Sequence, residues 1–239
     1  LDLSGVHSIP GEKTFFWSGK YNNDLNSRTT LETQLNVLTK FEPVVPEHFK
    51  NASILLLGNL DPNLQIKVLN QMEKKPNLVV LDTMNFWIES YREKLNEVIA
   101  KVDLISINDE EARQITETHS LVKAAKKLMA MGPNYVIIKK GENGALLFDK
   151  DKIFCAPALP LEEVFDPTGA GDSFIGGFVG HLSQCGRISF EEMKAATIIG
   201  SAMASFTVQK FGTKSLEKLT IPSIKQRIVA FKSLTEFEI

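Results

Sequence analysis

The sequence predicts a three-layer α/β fold: a mostly parallel central sheet with helices on both faces, plus a small β lid at the N-terminal end. Three observations carry this. Short, almost wholly apolar runs recur at 53–57, 78–81, 104–107 and 135–138, as expected of strands buried on both faces. Segments of helical period separate them, which means βαβ units. Residues 1–40 keep a different rhythm, aromatic and β-prone, with no helix-length apolar period.

The elements follow in order. Thr14 to Tyr21 reads as a strand, Asn22, Asn23 and Asp24 as a turn, and residues 28–35 as a run that pairs back in a hairpin. After the strand at 53–57, Leu64, Val68, Leu69 and Met72 place a helix over 61–74. The strand at 78–81 is followed by a helix at 88–100. The strand at 104–107 is followed by a helix at 120–131, which ends at Gly132 and Pro133. Residues 135–138 and 144–148, joined by a short link, suit an antiparallel hairpin. Helices at 170–184, 189–208 and 222–233 complete the chain. The expected division is a lid over 1–40 and an α/β catalytic part over 41–239.

Charge and composition narrow the functions. The 239 residues carry 27 Lys+Arg against 29 Asp+Glu, a net charge of −2. That balance argues against a nucleic-acid partner, because phosphate neutralisation needs a basic surface. No apolar run approaches the roughly 18 residues of a membrane span. Cys155 and Cys185 form no disulfide framework and no metal-ligand spacing, so a reducing, cytoplasmic compartment is expected. His7, His48, His119 and His181 are scattered, and His181 reads as structural. Residues 1–6 read as the middle of an element, so an upstream segment is expected.

In an open parallel sheet, ligands bind at the carboxyl ends of the strands. Polar residues cluster there: Asp82 and Asn85 after one strand, Asn108 to Glu111 after the next, Lys139 to Gly144 after a third. Each alone suits helix capping; together they mark one rim. The strongest signal is the stretch Asp166-Pro167-Thr168-Gly169-Ala170-Gly171-Asp172, opening a helix whose apolar face is Phe174, Phe178 and Leu182. Small residues bare the first backbone N–H groups, and the helix dipole favours an anion there. Asp172 would repel a phosphate unless it has a task, such as taking a proton from an attacking hydroxyl. Neither a Walker-type loop nor a dinucleotide fingerprint is present.

This stretch, followed by Gly176 and Gly177, resembles the C-terminal signature of the ribokinase-like (PfkB) family of carbohydrate and nucleoside kinases. Asn108-Asp109-Glu110-Glu111 is similar to that family's Asn-x-x-Glu motif, and Lys140-Gly141-Glu142-Asn143-Gly144 to its nucleotide loop. The resemblance implies a ribokinase-like fold and ATP-dependent phosphoryl transfer to a hydroxymethyl group. A sugar is the first acceptor it suggests, a nucleoside the alternative, and a non-catalytic nucleotide-binding protein a distant third. It implies Asp172 as general base, and the amides of Gly169, Ala170 and Gly171 as anion hole. It implies Asn108 and Glu111 near Mg²⁺ through water, Gly141 and Gly144 along ATP, Phe211 and Gly212 bordering the adenine, and Asp166 beside K⁺ in some members. Lys139 and Lys140 depart from a pair that is often Thr-Leu; Lys139 is expected to meet a phosphate. The family's early strand with its paired-glycine and asparagine motif is missing, so the chain reads as shortened. Trp17 and Arg28 are the candidate lid contacts to substrate; Phe15, Phe16, Trp17 and Tyr21 either cover or stack on it, or pack against a second lid in a homodimer.

Overall fold

Runs that are apolar on both faces stay dry only between two layers of helix, and that requirement organises the chain. The computed structural model describes residues 2–22, 28–236 and 238. Strands β1 (Phe16–Tyr21) and β2 (Arg28–Gln34) form an antiparallel ribbon, with Phe16 opposite Gln34 and Tyr21 opposite Arg28. The rest runs β3 (Ile54–Leu57), α1 (Pro62–Gln71), β4 (Leu78–Leu81), α2 (Asn85–Ser90), α3 (Arg92–Ile99), β5 (Leu104–Asn108), α4 (Asp109–Thr116) and α5 (Leu121–Ala130). It continues through β6 (Tyr135–Lys139), β7 (Ala145–Phe148), β8 (Ile153–Ala156), α6 (Ala170–Cys185), α7 (Phe190–Thr207) and α8 (Ile221–Ser233). The large sheet has the order β3-β4-β5-β6-β7-β8. Its first four strands are parallel; β7 and β8 add an antiparallel edge.

Alternation along each strand divides the core. Val79, Leu81, Ile105, Ile107, Val136 and Ile138 face Leu95, Val98, Ile115 and Leu128 of helices α3, α4 and α5. Leu78, Val80, Leu104 and Ile137 face Phe174, Phe178 and Leu182 of α6 and Met193 of α7. The apolar face predicted for α6 is therefore the buried one. Burying Phe178 completely contributes on the order of 2 kcal/mol. Helices α6 and α7 lie close because Gly200 has no side chain: a Cβ there would stand 2.7 Å from the Phe174 carbonyl oxygen.

Several local expectations change. The helix expected over 88–100 breaks into α2 and α3 at Tyr91, whose φ of −134° and ψ of 33° are not helical. The break lets the Tyr91 ring meet Trp87 edge-on, with centroids 5.4 Å apart. Helix α1 ends at Gln71, whose side-chain amide turns to the Pro43 carbonyl at 2.8 Å. Helix α4 and strand β8 were not expected. Among the described residues no helix is long and apolar enough to cross a membrane.

Candidate active site

The carboxyl ends of β4, β5 and β6 and the N-terminus of α6 carry the residues of interest. The segment leading into α6 is pinned to the end of α7: the N–H groups of Phe165 and Asp166 donate to the Val208 carbonyl at 2.8 and 3.3 Å. The Asp166 carboxylate accepts from the Thr168 N–H at 2.9 Å, and the Ala170 N–H donates to the Pro167 carbonyl at 3.1 Å. Gly169 then turns the chain at φ 81°, a left-handed conformation that suits only glycine at little cost. Its carbonyl accepts from the Ser173 N–H at 2.9 Å and starts the helix. Thr207 at the end of α7 holds this first turn, donating to the Ser173 hydroxyl at 2.7 Å.

This geometry trims one expectation. The Ala170 amide is spent on the turn, so it is not an open donor. Among the described residues, no hydrogen bond occupies the N–H groups of Gly169 and Gly171. Asp172, in the first turn, is exposed and makes no hydrogen bond or ion pair among the described residues. The helix tip thus offers bare donors, its positive dipole end and one accessible carboxylate.

Beside the tip lies a pair that sequence reading passed over. Lys139, at the end of β6, reaches Asp82, just past β4, with Nζ 3.3 Å from Oδ1. The same ammonium lies 3.3 Å from where a Cβ on Gly171 would be, so it borders the helix tip directly. Asp82 is only 6% exposed. Burial pushes its carboxyl up from the usual 3.8; the Lys139 charge opposes that shift and the Asp172 charge reinforces it. Strands β4 and β6 are separated by β5, so this contact was legible only once the strand order was known.

A carboxyl raised by folding holds its proton to higher pH in the folded than in the unfolded chain. Stability therefore falls as pH climbs from about 3.8 through the raised value, and rises on acidification across the same window. Asp82→Asn is expected to remove that component. Urea midpoints across a pH series would read it; identical pH slopes for the two proteins would contradict the burial argument.

The other candidates separate into three groups. Asn108 and Glu111 form a capping box on α4: the Glu111 N–H donates to Asn108 Oδ1 and the Asn108 N–H donates to Glu111 Oε2, each at 2.8 Å. Glu111 is 3% exposed, so this pair has a structural task at the rim. Gly141 opens a tight turn at φ 53°. Gly144, at φ 78°, is buried: a Cβ there would stand 2.1 Å from the Ala156 carbonyl oxygen. Packing of β8 alone therefore demands a glycine at 144. Phe211 is 73% exposed just beyond α7, and Gly212 turns at φ 63°.

From the ribbon, Tyr21 reaches the helix tip, its hydroxyl 3.1 Å from Thr168 Oγ1. The Trp17 ring lies along its own ribbon, over Gly19, and its indole N–H donates to Thr30 Oγ1 at 3.2 Å. Arg28 begins β2 opposite Tyr21, but its side chain and all of Asp24 lie outside the described residues.

An open α/β sheet whose strand ends meet a glycine-opened helix tip is the architecture of a phosphate-handling enzyme. The chain belongs to the pfkB family of carbohydrate kinases, whose model matches residues 11–219, and it is a phosphotransferase acting on an alcohol group. It is 33% identical over 207 residues to the cytidine kinase of Thermococcus kodakarensis, covering 81% of this chain and 72% of that one. The fold is similar to that of the Methanocaldococcus jannaschii nucleoside kinase, an archaeal member of the ribokinase family, with a TM-score of 0.70 at 23% identity, over 92% of this chain and 69% of that chain. It is also similar to fructokinase from Vibrio cholerae bound to fructose, ADP and calcium, with a TM-score of 0.74 at 17% identity, over 95% and 77% of the two chains.

Proposed function

We propose that this chain transfers the γ-phosphoryl group of ATP to the hydroxymethyl group of a nucleoside at the N-terminus of α6. The observation that carries the nucleoside over a free sugar is the 33% identity to a cytidine kinase across 81% of the chain. The family resemblance suggests a sugar first; this relative favours a nucleoside. The aromatic ribbon supports the same choice, because a base offers a flat face that a sugar lacks.

Asp172 takes the proton of the attacking hydroxyl, a contribution of about 10²–10⁴-fold. Its exposure, and the absence of a hydrogen-bond or ion-pair partner among the described residues, leave it open to an acceptor. The Gly169 and Gly171 amides and the helix dipole stabilise the charge of the transferring group, and the Lys139 ammonium adds a point charge beside them. Residues 1–40 act as a lid that excludes water, with the Tyr21–Thr168 contact as its latch. Asn108 and Glu111 supply oxygen donors of the kind Mg²⁺ prefers. Because their inner oxygens are held by the capping box, they suit an ion reached through its water shell. That ion, when bound, neutralises phosphate charge. Asp166 has one oxygen already committed to the Thr168 N–H, and a K⁺ beside it rests on the resemblance alone.

Cytidine, adenosine, inosine, ribose and fructose compared as acceptors, with ADP release as readout, test this. The best nucleoside is expected to exceed both sugars in kcat/KM by at least about tenfold. A sugar preferred by that margin would return the acceptor to the sugar class and leave the transfer chemistry intact.

A further inference from the structure

The far end of α6 holds a cluster that the transfer reaction does not use. His181 and Cys185 stand one helical turn apart on the same face of α6, and Glu192 lies in the first turn of α7, just past the connecting turn at 186–189. Their ligand atoms, one imidazole nitrogen, the thiol sulfur and one carboxylate oxygen, all lie within 4.8 Å of one another. The spacing in sequence hides this set, because Glu192 arrives only when α7 folds back along α6.

A second observation points to a ligand. His181 Nε2 is buried yet has no hydrogen-bond partner among the described residues; its neighbour, Glu192 Oε2, stands 3.5 Å away without hydrogen-bond geometry. A buried ring nitrogen in ion-pair range of a carboxylate but without a hydrogen bond is poorly satisfied, and a cation shared between the two would satisfy both. The other Glu192 oxygen, Oε1, is held by Arg187, the type of outer partner that fixes a ligating carboxylate. The Cys185 sulfur lies 3.5 Å from the Leu182 carbonyl and 3.6 Å from that of Arg187, weak contacts that a metal–thiolate bond would outweigh.

We propose that His181, Cys185 and Glu192 bind one divalent ion of the zinc class, with water completing the coordination. Nitrogen, sulfur and oxygen donors together suit zinc and its borderline neighbours, whereas Mg²⁺ takes oxygens alone. On binding, the Cys185 thiol releases its proton to solvent; thiolate and carboxylate then balance the two positive charges of the ion. His181 lies nine residues beyond Asp172 in one helix, about 14 Å along its axis. The ion is thus a clip between α6 and α7, separate from the helix tip where transfer is proposed. The proposal does not depend on the acceptor or on Asp172.

The test is titration of the chelator-treated full chain with Co²⁺, a spectroscopic substitute for zinc, and with Zn²⁺. One equivalent of Co²⁺ is expected to produce a near-ultraviolet thiolate charge-transfer band, and Zn²⁺ to abolish it by displacement. Cys185→Ser should lose the band, while Cys155→Ser, which alters the exposed thiol on β8, should keep it. His181→Gln should retain a folded far-ultraviolet spectrum and weaken Co²⁺ binding by at least about tenfold. Absence of a thiolate band at millimolar Co²⁺ would overturn the proposal and leave a His181–Glu192 ion pair only. A band lost in Cys155→Ser but kept in Cys185→Ser would overturn it equally.

Discussion

Asp172→Asn is expected to lower kcat by at least about 100-fold while leaving the fold and ATP binding intact. The substitution keeps the side chain's shape and removes its negative charge, and with it the capacity to accept a proton. Asp172 is exposed and unpaired among the described residues, so no buried group loses a partner. The stability change should stay within about 1 kcal/mol, the range of one charge at a helix N-terminus. ATP affinity should hold or rise, because a negative charge beside the proposed phosphate-binding amides disappears. Steady-state kinetics with the preferred nucleoside would read this. Turnover near that of the unaltered chain would remove the base assignment, and a large rise in the KM for ATP would mean that Asp172 binds rather than activates.

Gly144→Ala is expected to cost about 3 kcal/mol or more of stability, a fall in Tm of roughly 6–12 °C for a chain of this size. Two demands coincide at this position. Its φ of 78° with ψ of −145° is a conformation that side chains rarely adopt. The added carbon would stand 2.1 Å from the Ala156 carbonyl oxygen and within 2.9 Å of two further backbone atoms. Backbone cannot step aside as a flexible side chain can, so the β7–β8 edge must open. Thermal unfolding would measure the effect. A Tm within about 2 °C of the unaltered chain, with a raised KM for ATP, would instead assign Gly144 to the nucleotide.

Much of the fold was legible because burial on both faces leaves few sequence solutions: the four parallel strands, the β6–β7 hairpin and the inward face of α6 all stand where their apolar periods put them. Helix α4 was not, since half of its eight residues are charged and its start is fixed by the Asn108–Glu111 box. Strand β8 is a short edge strand of four residues with no strong signal of its own. The glycine-opened tip of α6 was legible because its residues are contiguous. The Asp82–Lys139 pair was not, because those residues lie 57 positions apart and meet only across β5. The Ala170 amide, expected as one of three open donors, is not one, since nothing in the sequence tells that its N–H closes a turn onto Pro167.

The most direct measurement is a crystal structure of the chain with a non-hydrolysable ATP analogue and its preferred nucleoside. The account predicts the terminal phosphate at about 3 Å from the Gly169 and Gly171 nitrogens, with the nucleoside hydroxymethyl oxygen within hydrogen-bond reach of the Asp172 carboxylate. A triphosphate bound elsewhere on the sheet, with Asp172 facing only solvent, would contradict it.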